Sequence, residues 1–185
     1  QWASFSLTES YYDHQGKAEK YPDFSVNQEY AKAKEQWVVQ TGVGIYCSPA
    51  VENDQVFVGD DLGCLTAYAL KNGKKLWSFA SGKRIVGTPA VSQGIVVFGS
   101  ADRTIYGLNA ADGSLRWKVN AAEPVLGAVT IHEGIAYVGA SDKSFRAIDI
   151  QSGKVVWNYD QVKGYIETKP LIADNKVIFS AWDNT

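Results

Sequence analysis

Residues 99–117, GSADRTIYGLNAADGSLRW, and residues 139–157, GASDKSFRAIDIQSGKVVW, lie forty positions apart and carry one pattern in different letters. Only Gly, Asp, Gly and Trp coincide, yet apolar answers apolar and turn answers turn along the rest. A third copy, GDDLGCLTAYALKNGKKLW at 59–77, keeps both glycines and the tryptophan. Tryptophans fall at Trp37, Trp77, Trp117 and Trp157, and a second landmark agrees: SPAV at 48–51, TPAV at 88–91, AVTI at 128–131 and, one residue late, KPLI at 169–172. A period near 40 suits four-stranded propeller blades, and also helical repeats of the HEAT and armadillo type.

The apolar periodicity decides between them. Each unit is built of short runs rich in β-branched and aromatic residues, broken by turn chemistry every five to ten positions, which is strand grammar. No stretch within 45–160 sustains the i, i+3, i+4 spacing a helix needs. In the unit at 85–119, RIVGTPAV reads as strand one, IVVFGS as strand two, TIYGLNA as strand three and SLRWKV as strand four, with turns at Gly94, Asp102-Arg103 and Asp112-Gly113. The second strands are apolar without a break, as strands covered on both faces are. The third strands alternate, Phe145, Ala147 and Asp149 on one face and Arg146, Ile148 and Ile150 on the other. Small residues recur at Ala67, Gly107 and Ala147, where the repeated Trp of a neighbouring unit is expected to pack. A Trp buries roughly 150–250 Å2 and needs an acceptor for its indole N–H, so one per unit suits a lock between blades.

The expected fold is therefore all-β: a β-propeller with a repeat of forty residues, three complete blades at about 45–80, 85–120 and 125–160, and a partial one at 165–185. Residues 1–36 stand outside the repeat and read as a linker or the tail of a preceding domain, with alternation in WASFSLT at 2–8 and one short helical turn in EYAKAKEQ at 29–36. The chain opens on Gln1, lacks Met and stops within its fourth repeat, so it reads as part of a longer polypeptide.

Composition narrows the function. With 45% apolar and 12% aromatic residues, the 185-residue chain can bury a substantial core. Its net charge of -2 arises from 18 basic and 20 acidic residues interspersed along the chain, which leaves no basic stripe for nucleic acid. No apolar run reaches the length of a membrane span. Cys47 and Cys64 fit neither a disulfide framework nor a metal site and read as small residues of apolar strands.

At 147–157 the stretch AIDIQSGKVVW resembles the Ala-x-Asp-x-x-Thr-Gly-Lys-x-x-Trp docking motif of pyrroloquinoline-quinone-like propeller repeats, with Ser152 in place of the threonine. The looser copies at 107–117 and 67–77 keep Gly113, Trp117, Gly73 and Trp77. The resemblance spans about 45–185 and makes Trp37, Trp77, Trp117 and Trp157, with Gly73, Gly113 and Gly153, the structural docking residues. Proteins with this repeat include quinone-dependent alcohol and glucose dehydrogenases, a non-catalytic lipoprotein subunit of the β-barrel assembly machine, and accessory domains fused to bacterial kinases or metallophosphoesterases. One fold hosts all of these, so function must be argued from the site.

A quinone dehydrogenase would need pyrroloquinoline quinone with calcium, held by clustered carboxylates, and often a vicinal cysteine pair; here the two cysteines lie seventeen positions apart. Asp102, Asp142 and Asp183 recur at one repeat position, where Asp caps a turn through its own backbone two residues on. Repetition argues for architecture, since an active site needs each residue once. His132 lies in a turn, and His14 lies beside Asp13 without further ligands nearby. No catalytic or metal-binding residue and no cofactor is expected from this segment.

Residues that break the repeat are more informative. The strand-four-to-one and strand-two-to-three loops emerge on one propeller face, where such folds bind partners. Lys83, Arg84, Arg103, Lys143, Tyr165 and Trp182 fall there, Arg103 and Lys143 at a position where the family carries glycine, as at Gly63. The expected function is a non-catalytic binding or scaffolding module, with a protein or another domain of the same chain as partner and self-association through open blade edges. The alternative is part of a quinone-dependent dehydrogenase. By resemblance the location is periplasmic or otherwise extracytoplasmic.

Overall fold

The computed structural model describes residues 35–183. The chain divides into two compact units, Gln1–Gln36 and Trp37–Thr185, and the propeller repeats occupy the second. WASFSLT, His14 and most of EYAKAKEQ lie outside the described residues.

Among the described residues fourteen strands form antiparallel sheets in chain order. The first blade contains β1 (Ala50–Glu52), β2 (Gln55–Gly59), β3 (Cys64–Ala69) and β4 (Lys75–Ala80). The second contains β5 (Ala90–Ser92), β6 (Ile95–Ser100), β7 (Thr104–Asn109) and β8 (Leu115–Asn120). The third contains β9 (Thr130–His132), β10 (Ile135–Gly139), β11 (Phe145–Asp149) and β12 (Val155–Tyr159). In the fourth repeat β13 (Leu171–Ala173) pairs with β14 (Lys176–Ile178). Two-residue turns join first to second strands. Asn53-Asp54 carries φ of +47° and +60°, and Gln93-Gly94 carries +53° and +75°, the left-handed pair that matches the twist of a hairpin.

Strand one is shorter than the sequence implies. Only its last residues pair, and Ile85 to Pro89 run as loop, as do residues 125–129, where Val129 stands in the place of the proline and its N–H donates to the Thr88 carbonyl of the preceding repeat. The freed stretch packs against the second strands instead. Ile85, Val125 and Ile166 are fully buried and press on Gly59, Gly99 and Gly139, where any Cβ would lie within 2.4 Å of them. Cys47 also lies in a loop, its Sγ meeting the backbone of Gly59. Burial pushes its thiol pKa up, which leaves the thiol unreactive. Cys47 and Cys64 are free thiols.

The core sits between blades. Phe57, Leu65 and Ile85 meet Val96, Phe98 and Leu108 across the first junction. Ile95, Val97 and Ile105 meet Val138, Ile148 and Ile150 across the second. Strand β6, flanked on both sides, is buried along its whole length.

The tryptophans lock these junctions by a rule of constant offsets. The indole N–H groups of Trp37, Trp77 and Trp117 donate to the carbonyls of Leu70, Ala110 and Ile150 at 2.8, 2.9 and 2.7 Å, each 33 residues on. Their rings lie on Gly73, Gly113 and Gly153, where a Cβ would come within 2.6 Å of a ring atom. These glycines have φ of +67°, +75° and +73°, so both the conformation and the ring require Gly there. The small residues of the third strands play a different part from the one expected: Ala67, Gly107 and Ala147 are the cross-strand partners of Trp77, Trp117 and Trp157 of their own blade. A strand-four side chain stands over its neighbour within the sheet before it reaches the next one. Trp157 also departs from the interior position expected of it. It is 40% exposed against 9% for Trp117, with Tyr137 and Phe145 as ring neighbours.

Candidate functional site: the loop face

Two recurring hydrogen bonds tie the loops of one face together. An N–H of each strand-two-to-three loop donates to the carbonyl 17 residues back: Asp61 to Gly44, Ala101 to Arg84, Ser141 to Pro124 and Trp182 to Tyr165, at 2.9–3.0 Å. In the opposite direction, the N–H groups of Gly82, Ala122 and Lys163 donate to Oδ2 of Asp102, Asp142 and Asp183 at 2.7, 3.1 and 3.2 Å, 20 residues on. The recurrent aspartates are therefore latches between loops. Asp142 also caps its turn through the Ser144 N–H. Asp102 does not make the turn cap expected of it, since its Oδ2 serves Gly82 and Tyr106 and its Oδ1 has no partner among the described residues. In the first repeat Asp60 takes the capping part, accepting from the N–H groups of Leu62 and Cys64. A face held this way is preorganised, which lowers the entropic cost of binding.

The Asp142 latch is the fullest. Its carboxylate accepts from the Ser144 N–H and hydroxyl and from both terminal nitrogens of Arg146, and both side chains of this ion pair are largely buried. Burial pushes the carboxyl pKa up, but Arg146, Ser144 and the Ala122 N–H outweigh it and hold the pKa below the ordinary value. At Asp102 a tyrosine replaces the arginine: the Tyr106 hydroxyl donates to Oδ2 at 2.7 Å, while Oδ1 is buried with no partner among the described residues. Burial and the bond to Asp102 push the Tyr106 phenol up to about 12. The latches thus occupy Asp102, Asp142 and Asp183, and among the described residues no three His, Cys, Asp or Glu side chains converge as a metal site would require. His132 does not lie in the turn expected for it: it is the exposed last residue of β9, paired with Ile135, beside Glu133.

The site residues read from the sequence are distributed over three cavities. Lys83 and Arg84 line one of about 550 Å3 with Asp61, Leu62 and Pro124. Lys143 and Tyr165 line a second of about 570 Å3, and the same two join Trp182 around a third of about 340 Å3. Arg103 lines none of the three and is exposed beside them. Lys163 and Glu167, which no motif of the repeat singles out, complete the third cavity. Their one signal in the sequence is their place on either side of Tyr165, in the loop that departs from the forty-residue spacing.

Comparison with known proteins bears on this arrangement of blades. A family model described as outer membrane protein assembly factor BamB matches residues 63–182. The chain belongs to this family. Among solved structures, BamB from Moraxella catarrhalis superposes with a TM-score of 0.73 at 17% identity, over 80% of this chain and 47% of that one. The computationally designed Ika4 protein gives 0.74 at 20% identity, over 83% of this chain and 95% of its own. The designed Ika8 protein gives 0.68 at 21%, over 77% and 44%. The chain thus spans about half the length of the Moraxella BamB chain. No curated protein matches the sequence.

At the position where the first repeat has Gly63 with φ of +87°, Arg103 and Lys143 hold left-handed φ values of +71° and +63°. A side chain in that region costs roughly 1–2 kcal/mol. Arg103→Gly is therefore expected to raise stability by up to about 1 kcal/mol, read as a higher urea midpoint with an unchanged slope. A midpoint that stays or falls would show that the arginine is held by contacts stronger than the strain.

Proposed function

We propose that this chain is a non-catalytic, extracytoplasmic protein-binding module whose latched loop face, carrying Lys83, Arg84, Arg103, Lys143, Tyr165 and Trp182, docks a separate protein or another domain of the same polypeptide. Accessory domains attached to kinases or metallophosphoesterases exemplify the second arrangement. The observation that carries the reading is the division of labour on that face. The recurrent aspartates Asp102, Asp142 and Asp183 are spent on latches, while Lys83, Arg84, Arg103 and Lys143 make no ion pair among the described residues and large aromatics stand exposed at Tyr165 and Trp182. Exposed aromatics and cations on a rigid base are the usual anchors of an interface. Membership of a family described as an assembly factor supports the same reading. A second contact surface is the apolar border formed by Trp157, Tyr159, Leu171 and Ile178, all exposed, through which copies associate at high concentration. Neither surface uses a cofactor.

A photo-crosslinking residue at position 84, 103 or 165 is expected to trap a discrete protein product in the native host, and one at Asp54, in a turn at the other end of the blade, is not. Sedimentation of the purified chain reads the self-association. A stoichiometric complex with pyrroloquinoline quinone and calcium would overturn the non-catalytic reading in favour of a dehydrogenase, and equal cross-linking from Asp54 would overturn the face.

A further inference from the structure

The fourth repeat breaks the pattern of the latches. The paired latch positions carry Gly44 with Asp61, Arg84 with Ala101, and Pro124 with Ser141; in the fourth repeat they carry Tyr165 with Trp182. Two aromatic residues are thus held together by a 3.0 Å backbone bond, and their side chains remain 53% and 74% exposed. Exposing both costs solvation that burial elsewhere would have recovered, and neither is needed to close the latch, since the backbone alone makes the bond.

Both line the cavity of about 340 Å3, with Lys143, Lys163 and Glu167. Tyr165 and Lys143 also wall the adjoining cavity of about 570 Å3, which adds Glu123 and Asp142. Across the two cavities the two lysines are balanced by the two glutamates, and the Asp142 carboxylate is occupied by Arg146. Glu167 accepts a hydrogen bond from the Ser141 hydroxyl at 3.2 Å. The balance disfavours a strongly charged ligand. It offers ammonium donors and carboxylate acceptors together, beside two aromatic faces whose π-clouds are negative. Hydroxyl groups, each both donor and acceptor, match such a lining, and the axial C–H groups of a pyranose ring carry the positive edge that stacks on an aromatic face.

We propose that the Tyr165–Trp182 cleft is a binding site for the pyranose units of a neutral oligosaccharide, one ring stacking on Trp182 in the smaller cavity and the chain continuing past Tyr165 into the larger. This goes beyond protein binding, and its test uses no protein partner.

The probes are neutral hexasaccharides, one of glucose and one of N-acetylglucosamine, titrated into the whole chain by calorimetry. At least one should saturate with a Kd on the order of 1 mM or tighter. Trp182→Ala and Tyr165→Ala should each weaken it by about tenfold or more while melting with the parent protein, and Leu62→Ala, at a residue that lines neither cavity of the cleft, should leave it unchanged. Failure of both sugars to saturate by about 10 mM would overturn the proposal, as would binding that survives both aromatic substitutions. Tighter binding of hexaglutamate at the same cleft would also overturn it and assign the site to an acidic peptide.

Discussion

Replacing Trp117 by Ala is expected to cost about 3–5 kcal/mol of folding stability, the range for removing a buried aromatic side chain. Two losses combine. The ring leaves the junction between the second and third blades, where it is 9% exposed and lies on Gly153. The Ile150 carbonyl also loses its donor at 2.7 Å, and an unsatisfied buried acceptor carries its own desolvation penalty. Trp157→Ala should cost less, since Trp157 is 40% exposed. Trp182→Ala, at an exposed loop, should fall within about 0.5 kcal/mol of the parent. Urea melts of the three variants order these effects. Equal small losses at Trp117 and Trp182 would show that the indole lock contributes little to holding the blades together.

Asp142→Ala should be comparably damaging, at about 3–5 kcal/mol, because removing one partner of a buried ion pair strands the other charge. Arg146 would keep its guanidinium in a largely buried site, and the Ala122 N–H and the Ser144 hydroxyl would lose their acceptor. The same interactions set a pH dependence. Because the folded Asp142 pKa lies below its ordinary value, its contribution is fully present above about pH 4, the unfolded carboxyl value. It is lost as pH falls through the folded pKa. The parent should therefore lose stability on acidification through this window more steeply than Asp142→Asn, in which that carboxyl cannot protonate. Parallel acid-denaturation curves for the two proteins would place the acid sensitivity elsewhere. The Asp102 latch, with Tyr106 where Arg146 stands and one oxygen unpartnered, should tolerate substitution better.

Features that repeat locally were legible in the residues alone. The forty-residue spacing of the tryptophans, the unbroken second strands and the turn residues at Gly94 and Asp112-Gly113 required only backbone propensity and alternation to read, and β6 was legible to its end residues. Topology then put the loop residues on one face, since a four-stranded meander leaves its two-to-three and four-to-one connections at the same end. Beyond that, the twist and stagger of one blade on the next took over. They set each indole against a glycine of the following blade while the small third-strand residue stayed with its own. Trp157 is exposed although its spacing equals that of Trp117, because the positions 33 and 36 residues on, which supply the acceptor and the glycine to Trp117, fall past residue 185. The same twist and stagger turned the recurrent aspartates into latches with partners 20 residues back, and they brought Tyr165 and Trp182 around one cavity with Lys163 and Glu167. Such juxtapositions depend on distances between sheets, and no property of a single strand encodes them.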